Sequence, residues 1–183
     1  MKLLIMGPPG AGKGTQAKIL SKKFNLVHLS TGDILRSEID KKSATGLEAQ
    51  SYMNAGNLVP DKVLLAMMGI TLENLKDKGL ILDGFPRTIP QAEGLSTIFE
   101  SLNQKINHVI NIYVNKDVLI NRLVERAEKS GRADDTKEVI VNRQKVYHKL
   151  TAPLTEFYDN EIINIDGDGS IEEVTSRIFN IIK

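Results

Sequence analysis

Residues 7–15 of this chain read GPPGAGKGT, and this stretch decides the fold. It follows a short apolar run at 2–6 (KLLIM) and precedes 16–24 (QAKILSKKF), where apolar or small residues recur at helical spacing. A glycine-rich turn between a strand and a helix is the context of a phosphate-binding loop. Glycines let successive N–H groups point toward phosphate oxygens, and the following helix adds its positive N-terminal end. The pattern therefore predicts a phosphate site in which Lys13 reaches the outer phosphates.

One residue departs from the general pattern G-x-x-x-x-G-K-[ST], because Gly14 follows Lys13 and the hydroxyl comes one place later, at Thr15. Many nucleoside triphosphatases use the hydroxyl next to the lysine as a magnesium ligand. We therefore expect magnesium to be held through water, phosphate oxygens and carboxylates elsewhere, which suits an ion that loses water reluctantly. An ordinary glycine-rich turn is the alternative, but the spacing, the lysine and the flanking elements favour a phosphate site.

The bulk properties indicate one compact globular domain over residues 1–183, with room for a small insertion. A net charge of +1 indicates no basic surface for nucleic acid, and the absence of cysteine excludes disulfides, thiolate metal sites and cysteine nucleophiles. The apolar run at 2–6 enters the glycine loop directly, so it is interpreted as a strand and not as a signal peptide. No apolar stretch approaches the ~20 residues of a membrane span. We expect a cytoplasmic protein, and a monomer by default.

Short apolar runs alternate with helical patterns along the chain. The predicted strands are Lys2–Met6, Val27–Leu29, Leu80–Leu82, His108–Val114 and Ile162–Ile165. The predicted helices are 13–24, 31–42, 44–55, 60–76, 89–103, 116–129, 136–158 and 171–182. This alternation predicts an α/β protein of three layers, with a central five-stranded parallel sheet flanked by helices. Ligands bind at the carboxyl ends of such strands, and polar residues cluster there in this chain.

After the second predicted strand comes Ser30-Thr31-Gly32-Asp33, followed by Arg36. Ser30 or Thr31 is suited to capping a helix, with Asp33 at its positive end. Arg36 lies one helical turn after Asp33 and is a candidate clamp for a second phosphate, although a surface arginine is the commoner explanation. The following residues, as far as 59, hold helical patterns and no strand, so 30–59 is interpreted as a helical insertion.

After the third predicted strand comes Asp83-Gly84-Phe85-Pro86-Arg87-Thr88. An aspartate that ends a buried strand beside a phosphate loop is a candidate for magnesium or its bound water. Thr88 and Gln91 have the spacing of a capping box. Gln91 could also read a purine edge through paired hydrogen bonds, but the spacing favours the cap.

Farther along, Asn115-Lys116-Asp117-Val118 is close to a guanine-reading N-K-x-D motif, but Val118 replaces the required carboxylate, so Asn115 is interpreted as a helix cap.

Four arginines then surround one short loop: Arg122, Arg126, Arg132 and Arg143. They could form a solvated face, or they could neutralise the charge on a phosphoryl group during transfer. Ser170 and Glu173 fit a capping box for the last helix. The three histidines form no metal-binding pattern, and no chemistry is assigned to them.

Four motifs together resemble those of the adenylate kinases, within the nucleoside monophosphate kinases: GPPGAGKGTQ at 7–16, STGDILR at 30–36, DGFPRT-x-x-QA at 83–92 and GRADD at 131–135. The resemblance covers essentially the whole chain. It implies a P-loop kinase fold with a small helical NMP-binding insertion at 30–59 and a short lid at 126–136. It also implies reversible, Mg²⁺-dependent transfer of the γ-phosphoryl group of ATP to AMP, which gives two ADP.

The resemblance further implies roles for individual residues, in four sets. The catalytic set is Lys13, Arg87, Arg126, Arg132 and Arg143. The ATP-binding set is Gly10, Ala11, Gly12, Lys13, Gly14, Thr15, Arg122, Arg126 and Gly169. The AMP-binding set is Thr31, Arg36, Asn57, Leu58, Val59, Gly84, Phe85, Arg87, Gln91, Arg132 and Arg143. Asp33 and Asp83 would order the water shell of magnesium.

The resemblance also bears on the acceptor base. Relatives that act on UMP or CMP usually carry alanine in place of Thr31 and asparagine in place of Thr88, so this chain looks like the AMP type. Only five residues separate Arg126 from Arg132, which implies the short-lid type without the zinc site of some long lids. The alternatives are a kinase for UMP or CMP, a GTP-dependent AMP kinase, and a P-loop nucleotide-binding protein without transfer activity. Val118, Gly14 and the arginine cluster argue against the last.

Overall fold

The computed structural model describes residues 1–130 and 136–182. The strands are β1 (Lys2–Met6), β2 (Val27–Ser30), β3 (Leu80–Asp83), β4 (His108–Tyr113) and β5 (Ile162–Asp166). The helices up to β4 are α1 (Lys13–Phe24), α2 (Thr31–Asp40), α3 (Ala44–Asn54), α4 (Asp61–Asn74) and α5 (Ile89–Ser101). The helices after β4 are α6 (Lys116–Ser130), α7 (Lys137–Val146), α8 (Leu154–Phe157) and α9 (Ile171–Phe179). All five predicted strands are present, within one residue of their predicted ends.

The strands form one parallel sheet in the order β2-β3-β1-β4-β5. Strand β1 lies at the centre, with Leu4 opposite Leu82 of β3 and Val109 of β4. The predicted α/β class with a five-stranded parallel sheet is therefore confirmed. Because all strands run the same way, their carboxyl ends lie along one edge of the sheet, where the phosphate loop follows β1.

Two apolar cores cover the two faces of the sheet. Leu4 of β1 belongs to one buried cluster and the adjacent Ile5 to the other, as expected when successive side chains of a strand point to opposite faces. The first cluster receives residues of α4 and α5, such as Met68 and Leu95. The second receives residues of α1 and α9, such as Leu20. The sheet is thus the middle of three layers and holds its carboxyl edge rigidly.

One predicted helix, 136–158, is interrupted in the structure. Helix α7 ends at Val146, a π-helical turn follows at Tyr147–Thr151, and α8 is a single short turn at Leu154–Phe157. The interruption precedes Pro153, which has no N–H for the helical ladder and whose ring crowds the carbonyl one turn earlier. The prediction of one continuous helix was therefore wrong, and the physical cause is visible in the sequence.

Helix starts follow the predicted caps more closely. The side chains of Ser30, Thr88 and Ser170 accept hydrogen bonds from backbone N–H groups in the first turns of α2, α5 and α9. Ser170 and Glu173 form a complete capping box. The N–H of Asp117 donates to the side-chain oxygen of Asn115 at 3.1 Å, as expected of a cap on α6. These local bonds fix the points at which the chain leaves the sheet edge.

Candidate functional site

A cleft of about 680 Å³ opens at the carboxyl edge of the sheet. Its walls come from the phosphate loop, the segments after β2 and β3, the loop at 56–59, helix α6 and the turn after β5. These segments are far apart in sequence, and the strand order brings them together. Residues 30–59, predicted as a helical insertion, contain α2 and α3 and form one side of the cleft.

The phosphate loop has the backbone that its glycines permit. Gly7, Gly10 and Gly12 have φ angles of 137°, 90° and 91°, in the left-handed region that disfavours residues with a Cβ. Helix α1 begins at Lys13, and its cap residue Gly12 provides no side-chain hydrogen bond. The first amides of α1 therefore face the cleft with the positive end of the helix dipole, which is a suitable environment for phosphate.

The ammonium group of Lys13 lies against the loop and donates to the carbonyls of Gly7 at 2.7 Å and Pro8 at 2.9 Å. Burial is the main cause that lowers the pKa of Lys13 from 10.5 to about 7. The carboxylate of Asp83 opposes this shift, and the three arginine charges add to it, those of Arg87, Arg143 and Arg126. A nucleotide phosphate beside Lys13 would reverse the shift, because an opposite charge favours the protonated amine.

Gly14, which stands where the general pattern has a hydroxyl residue, lies beside Asp83. A Cβ at this position would lie 3.2 Å from Oδ2 of Asp83, which is closer than most side chains approach. A serine or threonine here would therefore crowd the carboxylate of Asp83. Thr15 follows on the exposed side of α1 and also lines the cleft.

The arginines predicted at the site converge on this cleft. Those within its lining are Arg36, Arg87, Arg122, Arg126 and Arg143. Arg132 lies outside the described residues, as do the other residues of the predicted lid at 126–136 that fall within 131–135. The charges of Arg87, Arg126 and Arg143 are close enough to Lys13 to lower its pKa, so these four cations share one electrostatic environment. A cleft lined by several fixed cations attracts anionic ligands.

The predicted acceptor side is built around Gly84. The hydroxyl of Thr31 and Nε of Arg87 both donate to the carbonyl of Gly84, each at 2.8 Å. Nη2 of Arg36 donates to Oδ1 of Asp33 at 2.5 Å, so these two side chains point the same way. Thr31, Arg36 and the loop residues Asn57, Leu58 and Val59 all line the cleft. Arg36 and Arg87 thus line the same cleft as these residues.

Three predicted acceptor-site residues, Gly84, Phe85 and Gln91, lie in the described part of the chain but outside the cleft lining. Phe85 is buried in the core. Gln91 is 0% exposed; its Nε2 donates to Oδ1 of Asp61 at 2.7 Å, and its Oε1 accepts from the N–H of Arg87 at 2.8 Å. The amide of Gln91 therefore positions the backbone of Arg87. The predicted capping box is confirmed only in its first half, because the Gln91 side chain bonds to Arg87 and not to Thr88.

The structure places His28 beside Asp83, although the sequence assigned it no chemistry. Nε2 of His28 lies 3.2 Å from Oδ2 of Asp83, and both residues line the cleft. Across residues 1–130 and 136–182, no group of three or more histidine, aspartate or glutamate side chains is placed to hold a metal ion directly. Two separate carboxylates, Asp33 and Asp83, suit an ion that keeps most of its water and binds phosphate oxygens.

Sequence reasoning also missed two amides of α7. Nδ2 of Asn142 donates to the carbonyl of Ala55 at 2.8 Å and to Oδ1 of Asn57 at 2.9 Å. Nε2 of Gln144 donates to the carbonyl of Pro9 in the phosphate loop at 3.1 Å. These two residues flank Arg143, so α7 is attached to both sides of the cleft around that arginine. No local pattern signals such contacts, because each joins segments that are far apart in the sequence.

Comparison with known proteins agrees with this geometry. The family model described as adenylate kinase matches residues 5–163. The chain belongs to the adenylate kinase family. An adenylate kinase of Leptospira biflexa serovar Patoc is 46% identical over 187 residues, covering 99% of each chain. An adenylate kinase of Synechococcus sp. strain CC9902 is 45% identical and covers 99% of this chain and 98% of the relative.

A third relative, the adenylate kinase of Rhodococcus erythropolis strain PR4, is 43% identical and covers 97% of this chain and 96% of its own. As a member of the adenylate kinase family, the chain is a nucleotide-binding phosphotransferase whose acceptor is a phosphate group. Within the two described ranges, none of the helices combines the length and apolar character needed to cross a membrane.

Proposed function

We propose that this protein transfers the γ-phosphoryl group of ATP reversibly to AMP at the cleft described above. The donor phosphates would bind the amides of residues 10–15 and Lys13. The AMP phosphate would bind Arg36 and Arg87, with its base against residues 57–59. One observation carries the proposal: Arg87, Arg126 and Arg143 line the same cleft as Lys13, and their charges act on its amine.

The chemistry requires little beyond positioning and charge. The attacking group is a phosphate oxyanion, so no general base is needed. Two polyanions repel each other, and fixed cations in a cleft offset that repulsion and stabilise the charge on the transferring group. Holding donor and acceptor in line removes much of the entropic cost of their meeting. Arg126, Arg143 and, from the short lid, Arg132 are the groups proposed to stabilise the charge on the phosphoryl group during its transfer.

Magnesium fits the residues that are present. Asp83 is 9% exposed and close to both Lys13 and Gly14 of the phosphate loop, and Asp33 lines the same cleft. These carboxylates would hold the water shell of Mg²⁺, and no zinc is proposed. When bound with ATP, the ion supplies charge neutralisation on the phosphate oxygens.

Adenine specificity on the acceptor side is part of the proposal. Thr31 and Thr88 are the residues that the family resemblance associates with AMP as the acceptor, in place of the alanine and asparagine of UMP or CMP kinases. Both threonines are buried. Their hydroxyls donate to Gly84 and Asp61, so each orients backbone or carboxylate groups near the site. Kinases for UMP or CMP, or a GTP-dependent AMP kinase, are the alternatives that the substrate panel below distinguishes.

We further infer a monomer acting in the cytoplasm. The proposed substrates ATP, AMP and ADP are cytoplasmic metabolites, and the net charge of +1 gives no reason to expect nucleic acid or an anionic membrane as a partner. Light scattering after size exclusion would measure the oligomeric state.

The deciding experiment is ADP formation from ATP and AMP, with and without Mg²⁺, across the acceptors AMP, UMP, CMP and GMP and the donors ATP and GTP. We expect fast, Mg²⁺-dependent turnover with ATP and AMP. Lys13→Ala should lose most activity, because it removes the cation beside the phosphates. Slow hydrolysis of ATP that does not depend on a monophosphate would instead indicate a nucleotide-binding module without transfer activity.

A further inference from the structure

The turn between β5 and α9, residues 166–169, is held by an arginine that does not line the cleft. Arg177 in the last turn of α9 donates through one nitrogen, Nη1, to the carbonyls of Asp166 at 2.7 Å and Asp168 at 2.6 Å. Hydrogen bonds from a charged donor are stronger than neutral ones. Arg177 therefore holds two alternate carbonyls of this turn, those of Asp166 and Asp168, from α9.

The remaining two carbonyls are held from the opposite side. Arg122 of α6 donates through Nη2 to the carbonyls of Gly167 at 3.0 Å and Gly169 at 3.3 Å. Four consecutive carbonyls thus alternate between two arginines. Arg122 lines the cleft and is already assigned to ATP by the family resemblance, whereas Arg177 has no assigned role.

The turn has little freedom to adopt another shape. Gly169 has a φ of +110°, and a Cβ there would lie 2.5 Å from Oε2 of Glu173. A Cβ at Gly167 would lie 2.4 Å from Cγ2 of Ile112. The N–H of Asp168 also donates to Oδ1 of Asp166 at 2.9 Å. The backbone is therefore tightly specified, as expected of a surface that must present fixed polar groups.

The turn also lies at a fixed position relative to the phosphate loop. Gly167, Gly169 and Ile171 line the donor end of the cleft. Nε2 of Gln16, in the helix that follows the phosphate loop, donates to the carbonyl of Ile171 at 3.1 Å. A nucleotide with its phosphates on the loop would therefore lie in the cleft that this turn also lines.

We propose that Arg177 is a positioning residue for the base of the donor nucleotide: with Arg122, it holds the carbonyls of residues 166–169 in one arrangement before ATP binds. The inference rests on the proposed function, because it assigns the donor base to this turn. A turn that is ordered in advance avoids the entropic cost of ordering on binding. It also presents the same polar groups to every base, which allows discrimination between adenine and guanine.

The test compares the wild type with Arg177→Ala and Arg177→Lys, with Lys23→Ala as the matched control. Lys23 is an exposed cation in the last turn of α1, so its removal reproduces the loss of positive charge at a helix end without affecting the turn. Steady-state kinetics would give kcat, KM for AMP, and KM for ATP and GTP as donors. Circular dichroism and thermal melts would show that each variant is folded.

We expect Arg177→Ala to raise KM for ATP about three- to tenfold, the effect of losing a charged hydrogen-bond donor at a part-exposed site. KM for AMP and kcat should stay close to the wild type, and the preference for ATP over GTP should fall. Arg177→Lys should recover part of the loss, because it keeps a charged donor but reaches less far than the guanidinium. Lys23→Ala should match the wild type.

An unchanged KM for ATP in folded Arg177→Ala would overturn the inference, as would equal increases in both KM values. If Arg177→Ala does not fold, the lysine variant decides alone. These outcomes are separate from failure of the proposed function, which would appear as a wild type unable to transfer phosphate from ATP to AMP.

Discussion

Nδ2 of Asn142 lies 2.9 Å from Oδ1 of Asn57, across 85 residues of sequence. The contact joins α7 to the loop that closes the helical insertion, and the same nitrogen donates to the carbonyl of Ala55. Gly56, which lies between Ala55 and Asn57 in the sequence, packs so closely against α7 that a Cβ on it would lie 3.0 Å from Cγ of Arg143. The proposed AMP side of the cleft is therefore linked directly to the helix that carries Arg143, an arginine proposed to be catalytic.

We expect Asn142→Ala to raise KM for AMP about threefold to tenfold, with a smaller effect on KM for ATP, because two hydrogen bonds to the acceptor-side loop are lost. Val141→Ala is the matched control, since Val141 is the adjacent residue of α7 and is 49% exposed. Initial rates over a grid of ATP and AMP concentrations provide both constants. Equal changes in the two KM values would contradict a specific role on the acceptor side.

Arg87 gives the second prediction. Its guanidinium is oriented by the bond from Nε to the carbonyl of Gly84, while its backbone N–H and carbonyl are bonded to Gln91 and Thr151. Arg87→Ala keeps the backbone bonds and removes the charge, so kcat should fall about 10²- to 10³-fold with the fold intact. Arg87→Lys should lose less. Turnover near the wild-type value in a folded alanine variant would refute a catalytic role for this arginine.

The depressed pKa of Lys13 gives the third prediction. Since the folded pKa is about 7, the amine is mostly neutral in the free protein at higher pH, and binding of ATP must then add a proton. Affinity for ATP should therefore fall between about pH 7.5 and 9.5, where nucleotide phosphates are fully ionised.

The shifted pKa of Lys13 also affects stability. In the unfolded chain this amine keeps its proton up to about pH 10.5, whereas in the folded protein it loses it near pH 7. The free energy of unfolding should therefore rise with pH above about 7.

Isothermal titration calorimetry in buffers of different ionisation enthalpy would measure proton uptake on ATP binding. Lys13→Arg serves as the control, because arginine stays charged throughout this range and should show no alkaline loss of affinity. An affinity for ATP that stays constant across this pH range in the wild type would contradict the assignment of the shifted amine to the phosphate site.

The buried amide of Gln91 gives the fourth prediction. Gln91→Leu removes the partner of the Arg87 N–H and one of the donors to Asp61, so the free energy of unfolding should fall by about 2 kcal/mol. Urea denaturation would measure this change. Glu93→Leu, an exposed position of the same helix, should change it by less than about 0.5 kcal/mol. Equal midpoints for Gln91→Leu and the wild type would show that the buried network contributes nothing.

Much of this fold could be predicted from local patterns. Apolar runs of strand length identified all five strands, and Ser30, Thr88 and Ser170 marked helix starts, because caps and apolar periodicity depend on neighbours in sequence. The helix predicted over 136–158 was wrong in its continuity, although Pro153 carried the signal. The phosphate loop was predictable because its glycines and lysine act within one turn of chain.

The rest of the site depended on the strand order β2-β3-β1-β4-β5, which no local pattern encodes. By itself, the sequence determined which residues could bind phosphate and where each strand would end. Only the tertiary structure decided that Asn142 contacts Asn57, that His28 stands beside Asp83 and that Arg177 holds the turn at 166–169. The physical reason is that hydrogen bonds between distant segments form only after packing on the sheet has brought their ends within a few ångströms.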